Sequence, residues 1–201
     1  MKRLIVLVAV LAALVTAAPA RAVTISFDPS STTVDVGDLV NIDVVISGLD
    51  ASEDIVSAYD LDVTYNSSIV NATGVDFGPF LGGPGSVHED FILSSGRIDF
   101  AAESLLTDQQ LAALQPDSFV LATLSFIALT PGTTALNFDP VAPPGILIVS
   151  FGGFPIDPAT IIAGTGEIIV RGPVQTPEPS TLWLGLVGLL AARELRRRRA
   201  R

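Results

Sequence analysis

Apolar and polar residues alternate along several short stretches of the chain, which is the pattern of β-strands with one buried face. In residues 57–65 (SAYDLDVTY), Asp60, Asp62 and Thr64 alternate with aromatic and aliphatic residues and are expected on a solvent-exposed face. Residues 118–129 are apolar on both faces, as expected of a central strand covered on both sides. Further strands are predicted at residues 23–27, 39–47, 87–93, 97–102, 133–138, 146–151 and 160–170. Glycine and proline turn signals between these stretches favour an antiparallel β-sandwich.

One helix interrupts the strand pattern in the stretch LLTDQQLAALQ. Thr107 and Gln110 have the spacing of a capping box, in which each residue satisfies a backbone N–H of the other. The sequence therefore predicts a helix at Asp108–Leu114. Leu111 and Leu114 are expected to pack on the edge of the sandwich.

Four stretches of the central region occur in a characteristic order: VDVGDLVNIDVVISGL, VSAYDLDVTYNSSIVNATGV, GRIDFAAES and FVLATLSFIALTPGTTALNF. In order and spacing they resemble the cohesin family, although Asn66 follows Tyr65 where cohesin-like chains typically have Asp. The resemblance implies a jelly-roll sandwich related to carbohydrate-binding modules. It does not carry over dockerin binding, because no set of residues here matches that interface.

Residues 1–22 have the parts of a secretory signal peptide. A positively charged start (MKR) precedes an apolar run at residues 4–15. Ala20 and Ala22 fit the small-x-small rule, so the mature chain is expected to begin at Val23, with cleavage after Ala20 as the alternative. An uncleaved anchor helix is disfavoured because the apolar run is short and a cleavage site follows at once.

Residues 180–192 carry no charge and are followed by six arginines in residues 193–201. Thirteen helical residues reach about 20 Å, whereas the hydrocarbon core of a bilayer is about 30 Å thick. The segment is therefore short for a permanent anchor, although arginine side chains can extend its reach by snorkelling. Their positive charge predicts that the arginines stay in the cytoplasm. The residues expected to retain the tail there are Arg196, Arg197, Arg198 and Arg199.

Pro177, Glu178 and Pro179 stand directly before the uncharged segment. The tripeptide, the apolar segment and the arginine cluster, in this order, resemble the PEP-CTERM sorting signal of Gram-negative bacteria. The resemblance implies that exosortase, a membrane protease-transpeptidase, recognises the tail and removes it. It also implies a species that makes exopolysaccharide and a biofilm matrix. An ordinary tail anchor is the alternative.

The region between the two ends is strongly acidic. Residues 23–176 contain 19 acidic residues against two arginines, a formal charge of −17. A body of this charge repels phosphate backbones, which excludes nucleic acid as a partner. The acidity could attract divalent cations, but a solvated surface that keeps an exported protein soluble is the favoured interpretation.

Few residues offer catalytic or metal-binding chemistry. The chain has no cysteine, which excludes disulfides and thiolate sites, and its single histidine, His88, leaves no two-histidine metal site. His88 follows a Gly/Pro-rich stretch and is interpreted as a loop histidine, not a general base. The densest acidic cluster could bind Ca²⁺, although it has no EF-hand pattern and a solvated face is favoured. Its members are Asp50, Glu53, Asp54, Asp60 and Asp62. No cofactor is predicted beyond this possible Ca²⁺.

Four aromatic residues admit two interpretations. Tyr59, Tyr65, Phe77 and Phe80 could stack on sugar rings, but aromatic side chains at strand ends more often belong to the core.

The fold class predicted from these observations is all-β. It is a cohesin-like jelly-roll β-sandwich (23–172) with one short helix, flanked by a signal peptide (1–22) and a transmembrane sorting helix within residues 173–201. The predicted function is that of an exported, non-enzymatic surface or extracellular-matrix protein. It would be anchored transiently in the inner membrane, sorted by exosortase, and associated with polysaccharide or another surface protein. A carbohydrate-binding module is the alternative, and a hydrolase is a third, disfavoured possibility.

Overall fold

The computed structural model describes residues 22–50, 54–140 and 145–173, together with residue 196. Within these ranges the chain forms twelve strands and one α-helix, α1 (Asp108–Leu114). Three single-turn 3-10 helices lie at Pro79–Leu81, Phe151–Gly153 and Pro158–Thr160. The strands are β1 (Val23–Asp28), β2 (Ser31–Asp35), β3 (Leu39–Ser47), β4 (Ala58–Thr64), β5 (Val70–Phe77), β6 (Val87–Ser94), β7 (Arg97–Ser104), β8 (Ser118–Ala128), β9 (Gly132–Phe138), β10 (Leu147–Val149), β11 (Ile161–Ala163) and β12 (Thr165–Arg171).

The strands form two sheets that enclose a shared core. The five-stranded sheet has the order β11-β1-β3-β8-β5. The seven-stranded sheet has the order β2-β12-β9-β4-β7-β6, and β10 pairs with the part of β4 that β9 leaves free. Most pairs are antiparallel, as predicted, but β1 pairs with β11 and β2 pairs with β12 in parallel. The predicted antiparallel pairing therefore holds for most of the sandwich but not for these two pairs.

The parallel pairs arise because two segments of the chain change sheets side by side. The first segment passes from β1 to β2 and the other from β11 to β12, so each pair falls in a different sheet. Gly164, at the second change, donates its N–H to the carbonyl of Ile25 at 2.8 Å. A Cβ on Gly166, just after this change, would lie 3.0 Å from the Phe27 side chain, so a larger residue there would crowd the Phe27 ring. The single strand predicted at residues 160–170 is consequently two strands.

Alternation places aromatic and aliphatic residues in the core, as the sequence predicts. The Phe27 and Phe138 rings stack at 4.5 Å between centroids, and each fully buried large apolar side chain contributes about 2 kcal/mol to stability. Tyr59 and Tyr65 are buried, which confirms their interpretation as core residues, while Phe77 and Phe80 are partly buried against the same core. Burial raises the pKa of the Tyr59 phenol, whose hydroxyl donates to the Leu121 carbonyl at 2.8 Å.

The structure confirms the predicted central strand and the predicted helix, but it corrects one detail of each. β8 lies between β3 and β5, but its outward residues, such as Thr123 and Ser125, are only half-buried, so the strand is covered on one side. The helix has the predicted bounds and capping box, and Leu111 is fully buried. Leu114, in the last turn of the helix, is 42% exposed, so the prediction that it packs on the sandwich is wrong.

Candidate functional site

The outer face of the seven-stranded sheet collects most of the chemistry in the described part of the chain. Strands β4, β7 and β6 lie side by side there, and their register brings acidic residues together. Asp62 lies directly opposite Asp99, while Asp60 and Asp90 both lie opposite Ala101, on either side of β7. Residues that are far apart in sequence therefore form one acidic surface.

The alternation correctly places Asp62 on the outer face of the sheet, but the prediction that its side chain is exposed is wrong, since the residue is only 1% exposed. The Nε of Arg97 donates to its Oδ1 at 2.6 Å, and the Arg97 side chain covers the carboxylate while remaining 40% exposed itself. This hydrogen bond raises the pKa of the Arg97 guanidinium. Burial of the charged carboxylate is tolerated because it is paired.

The environment of two neighbouring carboxyl groups, those of Asp60 and Asp99, disfavours their charged forms. Burial raises the pKa of both Asp60 and Asp99, neighbouring carboxylates raise it further, and the charge of Arg97 lowers it. After burial, the largest contribution to the raised pKa of Asp60 comes from the charge of Asp99. The corresponding contribution to the pKa of Asp99 comes from the charge of Asp62. The surface around the ion pair therefore holds excess negative charge that a positively charged group could neutralise.

A shallow depression of about 290 Å³ opens on this face beside the acidic residues. Ala58, Ala101 and Leu147 contribute apolar surface to its lining. The polar residues around it are Asp60, His88, Glu89, Asp90 and Glu103. An apolar lining with carboxylates around it suits the aliphatic stem and charged head of a lysine or arginine side chain.

The interpretation of His88 as a loop histidine is wrong, because His88 is the second residue of β6, within the strand predicted at residues 87–93. It is exposed and lies directly opposite Glu103 on β7. The loop ends at Ser86, because β6 continues the pairing with β7 to Val87 and Ser104. His88 thus belongs to the edge of the depression.

The acidic cluster considered as a possible Ca²⁺ site, for which a solvated face is favoured, is not assembled among the described residues. The Asp54 carboxylate accepts a hydrogen bond from the Asp50 backbone N–H at 3.2 Å, at the end of the sandwich, while Asp62 is occupied by Arg97. Glu53 lies outside the described residues. In the described ranges no group of three or more acidic or histidine side chains is placed to hold a metal ion.

The residues predicted for export and sorting fall mostly outside the described residues. These are Ala20, Pro177, Glu178, Pro179, Arg197, Arg198 and Arg199. Ala22 and Arg196 are described, and both are exposed. Among the described residues no helix is long and apolar enough to cross a membrane, and residues 180–192 are not among them.

Sequence reasoning missed Arg97, Asp90 and Glu103 as residues of this surface. One signal could have identified Arg97, because it is one of only two basic residues between positions 23 and 176. A lone cation among so many carboxylates is a candidate for a structural ion pair. No comparable signal marks Asp90 or Glu103, which the pairing of β6 with β7 brings to the depression.

The fold is similar to those of solved cohesin structures. A type I cohesin–dockerin complex from Clostridium thermocellum contains a chain that matches with a TM-score of 0.57 and 14% identity, over 75% of this chain and 99% of that chain. A type II cohesin domain from the cellulosome of Acetivibrio cellulolyticus matches with a TM-score of 0.57 and 19% identity, over 73% of this chain and 94% of that chain. CaCohA2 from Clostridium acetobutylicum matches with a TM-score of 0.56 and 22% identity, over 75% of this chain and 92% of that chain.

The sequence itself matches no protein-family model and no curated protein. At these identities the structural likeness shows the fold. The chain therefore contains a cohesin-like β-sandwich with one α-helix, as the sequence predicts.

Proposed function

We propose that this chain is an exported, non-enzymatic surface or extracellular-matrix protein that binds another protein through the outer face of its seven-stranded sheet. The observation that carries the proposal is the apolar depression with carboxylates around it, beside the Asp62–Arg97 pair. The proposed partner is a protein segment that presents lysine or arginine side chains. The cohesin-like fold supports a protein-binding role, since solved neighbours include cohesins in complexes with dockerins. The partner here is inferred from its charge and not from theirs.

Rigid placement of the acidic residues favours binding over a merely solvated surface. Asp60, Asp90 and Glu103 stand on three adjacent strands that are fixed in register. The depression also exposes apolar surface that a lysine or arginine stem would cover. A carbohydrate-binding role has less support, because Tyr59 and Tyr65 are buried and cannot stack on sugar rings.

Charge reversal on this face tests the proposal. The double variant Asp90→Lys, Glu103→Lys should abolish binding of lysine-rich and arginine-rich peptides to the mature protein, measured by calorimetry at low and physiological salt. The matched control is Asp43→Lys, Asp76→Lys, which makes the same change of charge on the outer side of the five-stranded sheet. Equal losses of peptide binding in both double variants would show that the effect comes from the net charge of the protein and not from this face. Binding to a glycan array, with no peptide binding, would favour the carbohydrate-binding alternative.

We further propose that residues 173–201 are a sorting signal read by exosortase at the inner membrane, which leads to a final location at the cell surface or in an exopolysaccharide matrix. The support is the order of Pro177-Glu178-Pro179, a short uncharged segment and an arginine cluster. Proline disfavours helical backbone in the residue before it, so we expect an extended backbone around Glu178, which is the form that a protease cleft can engage.

Changing Pro177-Glu178-Pro179 to three alanines should leave export intact and block removal of the tail. Full-length protein would then accumulate in the inner membrane, as fractionation and blotting would show. A matched strain without exosortase should give the same result with the unaltered chain. If the variant still loses its tail at the original rate, an ordinary tail anchor or unrelated proteolysis replaces the sorting signal.

A further inference from the structure

The last strand ends at a defined end of the sandwich. β12 runs parallel to β2 with Arg171 beside Asp35, and the guanidinium and carboxylate form an ion pair at 3.0 Å. The backbone N–H of Val36 also donates to the carbonyl of Arg171 at 3.3 Å. We call this the exit end, because the chain beyond it leads to the uncharged segment at residues 180–192.

Three large aliphatic side chains are exposed at the exit end. Val36 is 43% exposed, Leu39 71% and Leu129 41%, and together they are called the exit-end patch. Two backbone hydrogen bonds of 2.9 Å, from Gly37 to Ala128 and from Ala128 to Asp38, hold the turn before β3 against the end of β8. These bonds bring the segment of Leu129 beside the turn of Val36 and Leu39, although Leu129 lies at least 90 positions later in the sequence.

Apart from Asp38 in the turn before β3, the loops around the exit-end patch, residues 66–69, 95–96 and 129–131, contain no charged residue. Residues 66–69 contact residues 129–130 through the hydrogen bond from Leu129 to Ile69, and Ser95 bonds to Ser67. The charges nearest to the patch are the Asp35–Arg171 pair and Asp38, whose carboxylate accepts the Asp35 backbone N–H. At the opposite end, by contrast, the acidic residues include Asp50, Asp54 and Asp117.

The length of the connecting segment limits how far the exit end can lie from a membrane. Eight residues, 172–179, separate Arg171 from the uncharged segment. Fully extended, they span at most about 30 Å. Insertion of residues 180–192 would therefore keep the exit end near the bilayer, where a high effective concentration favours even weak apolar contacts.

From these observations we infer that the exit-end patch rests on the outer surface of the lipid bilayer while the tail is inserted. The inference rests on the proposed membrane insertion of residues 180–192. Exposed aliphatic side chains partition into the interfacial region of a bilayer, and an end with little net charge avoids repulsion by anionic lipids. Three side chains are a small area compared with the roughly 800 Å² per partner of a stable protein interface, so a lipid surface suits them better than a second copy.

The absence of cysteine from the chain allows a direct test with single fluorescent labels. The full chain would carry an environment-sensitive dye on Ser68→Cys, at the exit end, or on Asp117→Cys, at the opposite end; both positions are exposed. Each protein is reconstituted into vesicles of phosphatidylethanolamine and phosphatidylglycerol that contain a lipid with a spin-label quencher near its headgroup. We expect the dye at position 68 to lose most of its fluorescence and the dye at 117 to keep it. Adding Val36→Ser, Leu39→Ser and Leu129→Ser to the Ser68→Cys chain should restore the fluorescence.

Several outcomes would overturn the inference. If the chain floats with the vesicles but the dye at 68 is not quenched, the patch does not rest on the membrane, although the tail inserts. If both dyes are quenched equally, neither end of the sandwich preferentially faces the membrane. Energy transfer between labels that grows with the protein-to-lipid ratio, without lipid quenching, would show that a second copy covers the patch. If the chain fails to float, the membrane insertion of the tail fails with it.

Discussion

The Asp62 carboxylate is buried beneath Arg97, which lies diagonally across from it on the neighbouring strand and binds it at 2.6 Å. The same strand pair places Asp99 directly opposite Asp62. One arginine thus balances part of the negative charge that two strands bring together. The pair links the interior of the fold to the surface that we propose as a binding face.

Arg97→Ala should destabilise the fold, because it removes both the cation that is paired with the Asp62 carboxylate and the side chain that shields this carboxylate from water. Chemical denaturation of the mature protein measures the loss. The control is Arg171→Ala, which removes an exposed ion pair with Asp35 and should have little effect. The double variant Asp62→Leu, Arg97→Leu should recover most of the stability. Similar losses of stability for Arg97→Ala and Arg171→Ala would show that the buried ion pair stabilises the fold no more than the exposed one.

Asp99→Asn should stabilise the protein at neutral pH by about 0.5 kcal/mol, since like charges on facing strands repel. The raised pKa values of Asp60 and Asp99 mean that the folded state binds their protons more tightly than the unfolded state. Their contribution to stability is therefore present below the ordinary pKa of 3.8 and is lost as the pH rises through the folded-state pKa. The advantage of Asp99→Asn should disappear below that ordinary value. Urea denaturation at both pH values tests this, and an equal gain at each would contradict it.

Gln115→Ala should cost about 2 kcal/mol, because the side chain satisfies backbone groups that burial removes from water. Its amide accepts from Val56 at 2.8 Å and donates to the carbonyls of Val56 and Phe80 at 2.7 and 3.0 Å. It therefore joins the end of α1 to two other segments. Thermal unfolding should show a clear decrease for Gln115→Ala and almost none for Gln109→Ala, at an exposed position of the helix. Equal midpoints would show that water replaces the lost bonds.

The mature protein should begin at Val23. Mass spectrometry of the exported chain would identify its N-terminal peptide, and Ala22→Asp should block cleavage at this position because the site requires a small residue. An N-terminus at Arg21 would instead support cleavage after Ala20. Persistence of residues 4–15 in the exported protein would refute the signal peptide.

Local patterns in the sequence determined the strands and the helix that have strong signals. Strict alternation identified β3 and β4, and the capping box of Thr107 and Gln110 fixed the start of α1. These signals succeed because side-chain period and end capping depend on residues that are near in sequence. Composition likewise gave the acidity of the body and the uncharged segment with its arginines.

Only the tertiary structure decided how these elements combine. β2 and β5 have weak patterns, STTVD and VNATGVDF, and form because β12 and β8 offer them backbone partners. The side-by-side change of sheets at Gly164, and the burial of Asp62 under Arg97, likewise depend on residues distant in sequence. Period-two alternation tells which side of a strand a residue occupies, but not what covers that side. The acidic depression and the exit-end patch were therefore invisible in the sequence, because the register between strands makes the first and hydrogen bonds between a turn and the end of β8 make the second.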